Sequence, residues 1–150
     1  MRWLLILLAS AMPLMALAAE EDSRHRCSPE GIALGGYDLI SYRQTGGPIP
    51  GSEKYRAEHG GLSYLFASAG NLSMFTAAPA DYLPRYSGWC ATSLAMGQLV
   101  CPDYTNFKLE DGELLLFELA GFTNGRTVWN TDPAGFRLRA DTNARKFLSQ

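Results

Sequence analysis

The chain is poor in the side chains that carry most enzyme chemistry. It has two histidines, His25 and His59, and three cysteines among 150 residues. It contains no G-x-S-x-G or H-E-x-x-H motif, and no glycine-rich phosphate loop between a strand and a helix. The acidic pairs Glu20-Glu21 and Glu110-Asp111 lie in polar segments, where carboxylates are ordinarily solvated. These absences give no support to the common hydrolase classes and favour a protein that is not an enzyme.

An excess of positive charge is also lacking. The chain carries 13 Lys and Arg residues against 15 Asp and Glu residues, for a net charge of −2. Proteins that bind nucleic acid or anionic lipid through electrostatics carry basic patches or tails. We therefore expect neither class of partner, and the remaining partners are a small molecule or another protein.

The first 19 residues have the pattern of an export signal. Arg2 precedes an apolar run, and small residues end the segment at Ala18 and Ala19. The stretch from Trp3 to Ala19 has only 17 residues and is broken by Pro13, which is too short and too interrupted for a membrane anchor. We predict cleavage near Ala18 or Ala19, with no membrane insertion of the mature chain. The expected location is the periplasm or the medium.

The mature chain of roughly 131 residues is long enough for one domain with a substantial core. Residues 20–31 are polar and lack apolar periodicity, so we predict a flexible leader there and a single domain over 32–150. The pattern predicts a short strand over 32–34 that Gly35-Gly36 ends, followed by a helical turn that Asp38 caps. No internal repeat is evident in the sequence.

Two hairpins follow from turn chemistry. Residues 54–59 and 62–67 alternate in character around Gly60-Gly61, and residues 107–110 and 113–117 flank Asp111-Gly112. Glycine pairs and Asp-Gly suit the left-handed conformations of two-residue hairpin turns.

Helices are predicted after Ser68, over the apolar run 89–96, and over 124–147 with an interruption at Asp132-Pro133. Strands and helices without regular alternation favour an α+β fold with antiparallel strands over a parallel, doubly wound sheet.

In an oxidising compartment, three cysteines allow one disulfide and leave one thiol. Cys101 has two candidate partners, Cys27 and Cys90. The chain-entropy difference between the two loops is about 1 kcal/mol, too small to choose between them. Cys90 lies in an apolar run, whereas Cys27 and Cys101 lie in polar or proline-containing segments, which favours the pair Cys27–Cys101. Cys90 is then either a buried core residue or a protected thiol suited to a soft metal.

A set of residues in the middle of the chain resembles the YHS domain family, in particular its exported, stand-alone branch. The set comprises Tyr64-Leu65-Phe66-Ala67-Ser68, Asn71, Phe75, Pro79, Tyr82, Pro84, Tyr86, Gly88 and Cys90-Ala91. Gly36-Tyr37-Asp38 and Asp132-Pro133-Ala134-Gly135 match two further motifs of that branch, and the likeness spans 32–143.

The resemblance implies a small α+β domain. Some relatives are fused to copper-transporting ATPases or oxygenase subunits, which implies metal handling. The cysteines that bind metal in such relatives correspond to Ala67 and Asn71 here, so the usual ligands are missing. In exported relatives the counterpart of Cys90 is commonly the only cysteine, which supports the pairing of Cys27 with Cys101.

We therefore carry three functional hypotheses. The first is a non-enzymatic binding module that recognises a small ligand or a protein partner in the cell envelope. Its cleft would be lined by aromatic residues with a few polar groups, namely Tyr37, Asp38, Tyr64, Trp89 and Cys90.

The second hypothesis is copper or zinc handling through Cys90 and His59, with Met74 or Met96 as further ligands. The third is a thiol-based redox or hydrolytic enzyme that uses Cys90, which requires an accessible thiol with a lowered pKa.

Overall fold

The computed structural model describes residues 27–28 and 30–148. The predicted signal peptide over 1–19 and residues 20–26 of the predicted leader lie outside the described residues. The described part combines four α-helices with three antiparallel two-stranded sheets, which confirms the predicted α+β class. None of the helices in that part is long and apolar enough to span a membrane.

The first predicted hairpin is confirmed. Strands β1 (Ser52–His59) and β2 (Leu62–Phe66) pair antiparallel, with His59 opposite Leu62. The turn residues Gly60 and Gly61 have φ values of 57° and 79°, which glycine adopts without steric cost. The register of the pairing shifts between Ser52 and Arg56.

The second predicted hairpin is also confirmed. Strands β3 (Asp103–Glu110) and β4 (Glu113–Phe117) pair antiparallel around Asp111 and Gly112, which have φ values of 53° and 81°. β3 begins four residues earlier than the pattern predicted, beyond a register shift between Asp103 and Phe107. A third, two-residue hairpin was not predicted from the sequence: β5 (Leu119–Ala120) and β6 (Thr123–Asn124).

The predicted helices are present, and three of them begin at polar side-chain caps. Ser68, Asn124 and Asp132 each accept a hydrogen bond from a backbone N–H in the first turn of the helix that follows. The helices are α1 (Ala69–Ala77), α2 (Ala91–Ala95), α3 (Gly125–Trp129) and α4 (Pro133–Phe147).

The strand predicted over 32–34 is wrong. Ala33–Gly36 forms a tight turn in which Leu34 and Gly35 have left-handed dihedral angles, with φ values of 55° and 58°. The Tyr37 N–H closes the turn on the Leu34 carbonyl at 3.1 Å. Only Ile32 keeps a strand-like bridge, which it makes with Ser63. The glycines that were expected to stop a strand instead allow the chain to reverse.

The buried apolar residues form two clusters. One gathers around β2 and α1 and includes Tyr64, Phe66 and Phe75. The other gathers around β4, α2, α3 and α4 and includes Phe117, Trp129 and Phe136. Leu114 and Leu116 of β4 belong to the first cluster, so the second hairpin packs against both clusters.

The two halves of the domain repeat one arrangement, which the sequence did not reveal. Residues 33–77 and 85–129 each contain a left-handed turn, a hairpin and a helix. The two hairpins have strands of eight and five residues, two-residue turns and a register shift at the same place. The φ values of Leu34, Gly35 and Gly36 are 55°, 58° and 84°, and those of the equivalent residues 86–88 are 60°, 53° and 82°.

Hydrogen bonds and ring contacts follow the same equivalence. The Asp38 N–H bonds the Ile49 carbonyl at 2.9 Å, and the Cys90 N–H bonds the Val100 carbonyl at 3.0 Å. Ring pairs also recur, with Phe66 on Phe75 in the first half and Phe117 on Trp129 in the second. Cys90 thus occupies in the second half the position that Asp38 occupies in the first.

Candidate functional site

Asp38 is completely buried, and protein groups occupy both of its carboxylate oxygens. Oδ1 accepts the Ile40 N–H at 2.8 Å, and Oδ2 accepts the Ala67 N–H at 2.8 Å and the Asn71 side-chain amide at 2.6 Å. The predicted helix-cap role is wrong, since the turn at Ser41–Arg43 begins after Ile40 without a side-chain cap. Instead, Asp38 ties its own turn to the segment that follows β2.

Tyr64 and His59 lie together on the first apolar cluster. Tyr64 is 7% exposed and stacks on Phe75 with ring centroids 5.0 Å apart. Burial raises the pKa of Tyr64 to about 12, so its hydroxyl stays protonated at neutral pH. His59 packs edge-on against Tyr64 and Phe75, at 6.4 and 5.8 Å between centroids.

Cys90 is a free thiol with no solvent exposure. Its Sγ lies 3.2 Å from Ser93 Oγ, and Ser93 Oγ lies 2.9 Å from Glu118 Oε1. A hydroxyl has one proton, so when Ser93 donates to Glu118 its oxygen remains free to accept the thiol proton. The three groups form a hydrogen-bonded chain from a buried sulfur to a partly exposed carboxylate.

The β5–β6 hairpin begins and ends beside this chain. A Cβ on Gly125 would lie 3.4 Å from Cys90 Sγ, so the backbone there covers the thiol closely. Thr92 Oγ1 donates to the Gly125 carbonyl at 2.7 Å, and Asn106 donates to the Glu118 carbonyl at 2.9 Å. At the tip of the hairpin, Phe122 is fully exposed.

Trp89 precedes Cys90 and is 2% exposed. Within the described part of the chain, its indole Nε1 is buried and has no hydrogen-bond partner. Tyr37, at the equivalent position of the first half, is partly buried. Four of the five predicted ligand residues are therefore buried: Asp38, Tyr64, Trp89 and Cys90.

The proposed metal ligands have different neighbours. His59 contacts the aromatic rings of the first cluster, whereas Cys90 contacts Ser93 and the backbone at Gly125. Met74 and Met96 are 47% and 59% exposed. Among the described residues, no group of three or more His, Cys, Asp or Glu side chains is placed to share a metal ion.

Cys27 and Cys101 form a disulfide across 74 positions of sequence, as predicted. A hydrogen bond also holds this segment, because the Tyr104 hydroxyl donates to the Cys27 carbonyl at 2.6 Å. We call Cys27–Ser28 the strap. It is held against the second half of the domain by one covalent bond and one hydrogen bond.

An open groove of about 430 Å³ lies on the first half of the domain. Glycines at positions 35, 36 and 51 leave part of its wall without side chains, and Gly51 sits so close to β2 that a Cβ would lie 2.4 Å from the Leu65 carbonyl carbon. Glu30 is the one charged side chain among the lining residues, which are Cys27, Ser28, Glu30, Ile32, Gly35, Gly36, Pro50, Gly51 and Leu65. Sequence reasoning missed this groove, because its glycines and prolines indicated only loops.

A network of ion pairs joins the β3–β4 turn to α4. Arg137 bonds Glu110 at 2.8 Å and also bonds Glu113, and Arg85 bonds Asp141 at 2.8 Å. Burial acts to raise the pKa of Glu110, but hydrogen bonds from Lys108, Arg137 and Trp129 outweigh it and lower the pKa to about 2. Glu110 is therefore ionised throughout the neutral range, where the network stabilises the fold.

Comparison with family models, with curated proteins and with solved structures gave no match to this chain. The resemblance to the YHS domain family therefore stays a prediction, carried by the motifs quoted from the sequence.

Proposed function

We propose that this protein is an exported binding module without catalytic activity, which recognises a small ligand or a segment of a protein partner in the cell envelope. The observation that carries the proposal is the open groove of about 430 Å³ on the first half of the domain. Binding sites for small molecules are typically concave, mostly apolar and about 300–1,000 Å³ in volume. The groove fits that range.

Burial favours the groove over the cleft predicted from the sequence. The Asp38 oxygens already accept three hydrogen bonds, and Cys90 has no exposed surface. A ligand would reach either residue only after the surrounding chain moved. The groove is open in the described conformation and needs no such movement.

The lining residues restrict the class of ligand. Ile32, Pro50 and Leu65 supply apolar surface, and the glycines expose backbone instead of side chains. Among the described residues of the wall, Glu30 is the only charged one, so this surface disfavours anions. We expect neutral or positively charged molecules with an apolar part to bind.

A neutral fluorescent probe, N-phenyl-1-naphthylamine, tests this proposal on the mature protein. Ile32→Trp places a large side chain in the groove, and Ile49→Trp, at a position that is 44% exposed, is the matched control. We expect saturable binding to the wild type and the control, with affinity at least tenfold weaker in Ile32→Trp. Circular dichroism verifies that both variants are folded. Equal binding by all three proteins, or no saturable binding by the wild type, would refute the proposal.

The metal and thiol hypotheses remain predictions that share one requirement. Both need Cys90 to be reached from solvent, and the thiol is completely buried. Titration with Cu(I) or Zn²⁺, with Cys90→Ser as the control, tests the first of them. The rate at which iodoacetamide alkylates the folded protein tests the second.

A further inference from the structure

We infer that the open groove binds a short polypeptide segment of a partner protein. The inference rests on the proposed function and names the class of its ligand. It comes from the internal repeat, because the second half of the domain already holds a polypeptide segment at the equivalent place.

The walls of the groove have counterparts in the second half. The turn residues 34–36 correspond to 86–88, and the segment before β1 corresponds to the segment before β3. On this equivalence, Ile32, Gly35, Gly36, Pro50, Gly51 and Leu65 correspond in order to Pro84, Ser87, Gly88, Cys101, Pro102 and Leu116.

The strap covers this equivalent surface. Cys27 is bonded to Cys101, the counterpart of Pro50. Cys27 and Ser28 also line a cavity of about 30 Å³ together with Pro84, Ser87 and Gly88. The cavity left between the strap and these turn residues is small, compared with about 430 Å³ in the groove of the first half, where the strap forms part of the wall. The second half therefore shows how a polypeptide segment can occupy a surface shaped like the groove of the first half.

The differences between the halves indicate how a partner segment would be held. Pro50 has no thiol, so binding in the first half is reversible, whereas the strap is covalently fixed to Cys101. Tyr104, which donates to the strap, is replaced at the equivalent position by Glu53, which pairs with Arg56, and Glu30 lies on the groove wall. The carboxylate of Glu30 favours a segment that carries a basic residue.

Disulfide trapping tests the inference on the full mature chain. The probe is a synthetic peptide that copies residues 24–30, supplied as its mixed disulfide with glutathione. Pro50→Cys introduces a thiol where Cys101 stands in the second half, and Ile49→Cys is the control at the adjacent exposed position. The introduced thiolate attacks the peptide sulfur, the bond to glutathione breaks, and glutathione leaves as a thiolate that takes up a proton.

Intact-mass spectrometry then measures the fraction of protein that carries the peptide. We expect at least tenfold more peptide on Pro50→Cys than on Ile49→Cys at equal probe concentration, and no such preference when oxidised glutathione alone is the probe. Equal labelling of the two variants by the peptide would overturn the inference.

A non-covalent measurement covers the case in which the introduced cysteine pairs within the chain. Fluorescence anisotropy follows a labelled copy of the peptide, with serine in place of its cysteine, on the wild type and on Ile32→Trp. Binding that Ile32→Trp weakens at least tenfold supports the inference, and absent or unchanged binding contradicts it. If the naphthylamine probe binds in the groove and the peptide does not, the inference fails while the proposed function stands.

Discussion

Replacement of Asp38 by asparagine isolates the interaction that ties the first half of the domain together. The carboxylate is buried, and three donors point at its two oxygens: the Ile40 N–H, the Ala67 N–H and the Asn71 amide. Asparagine keeps the shape but has only one acceptor oxygen. In either orientation of the new amide, its NH₂ group faces at least one of these donors.

The magnitude follows from that count. A hydrogen bond to a charged group contributes about 1.5–3 kcal/mol, and a buried donor left without a partner costs about 1–3 kcal/mol. The lost hydrogen bond and the unpartnered donor result from the same change, so the two energies are not simply added. We expect Asp38→Asn to lower the free energy of unfolding by about 3 kcal/mol. Asp81→Asn, which removes an exposed carboxylate, should stay within about 0.5 kcal/mol of the wild type.

Urea denaturation followed by tryptophan fluorescence measures both variants. With a slope of about 1.5 kcal/mol per molar urea, the midpoint for Asp38→Asn should fall by about 2 M. A midpoint within about 0.3 M of the wild type would show that the carboxylate is not needed as a three-way acceptor.

Three further predictions concern the second half and the surface. Cys90→Asp should lower the free energy of unfolding by about 2 kcal/mol, because it places a second carboxylate near Glu118. Adding Glu118→Ala, which introduces the residue found at the equivalent position of the first half, should restore at least about 1 kcal/mol. Urea denaturation in a double-mutant cycle measures the difference. The pKa of Glu110 is lowered from its ordinary value of 4.5 to about 2, so its contribution to stability is complete above pH 4.5 and is lost as the pH falls towards 2. Glu110→Gln should therefore lose less stability than the wild type over that pH interval. Replacing Cys27 and Cys101 by serine should cost about 4 kcal/mol of unfolding free energy, and a reduced wild type should match the double variant.

The features predicted correctly from the sequence are those that neighbouring residues determine. Gly60-Gly61 and Asp111-Gly112 predicted both main hairpins, because a two-residue turn needs left-handed dihedral angles that these residues adopt readily. Ser68 predicted the start of α1, since its hydroxyl accepts an N–H from the first turn.

The features that were missed depend on contacts between distant segments. Tyr86 and Ser87 adopt left-handed angles that their own chemistry does not favour, so tertiary packing must impose them. The repeat was invisible because few equivalent positions keep the same residue, as Gly36 and Gly88 do. The groove is a shape between segments that are far apart in sequence, and no local pattern encodes it.

Because 74 positions separate Cys27 from Cys101, we expect the hairpins to form before the disulfide. Each main hairpin closes over two residues, and such hairpins form within about 1–10 μs. Disulfide formation is far slower, taking seconds to hours. A newly synthesised molecule should therefore pass through a reduced stage in which both halves present uncovered surfaces, and oxidation leaves only one of them open.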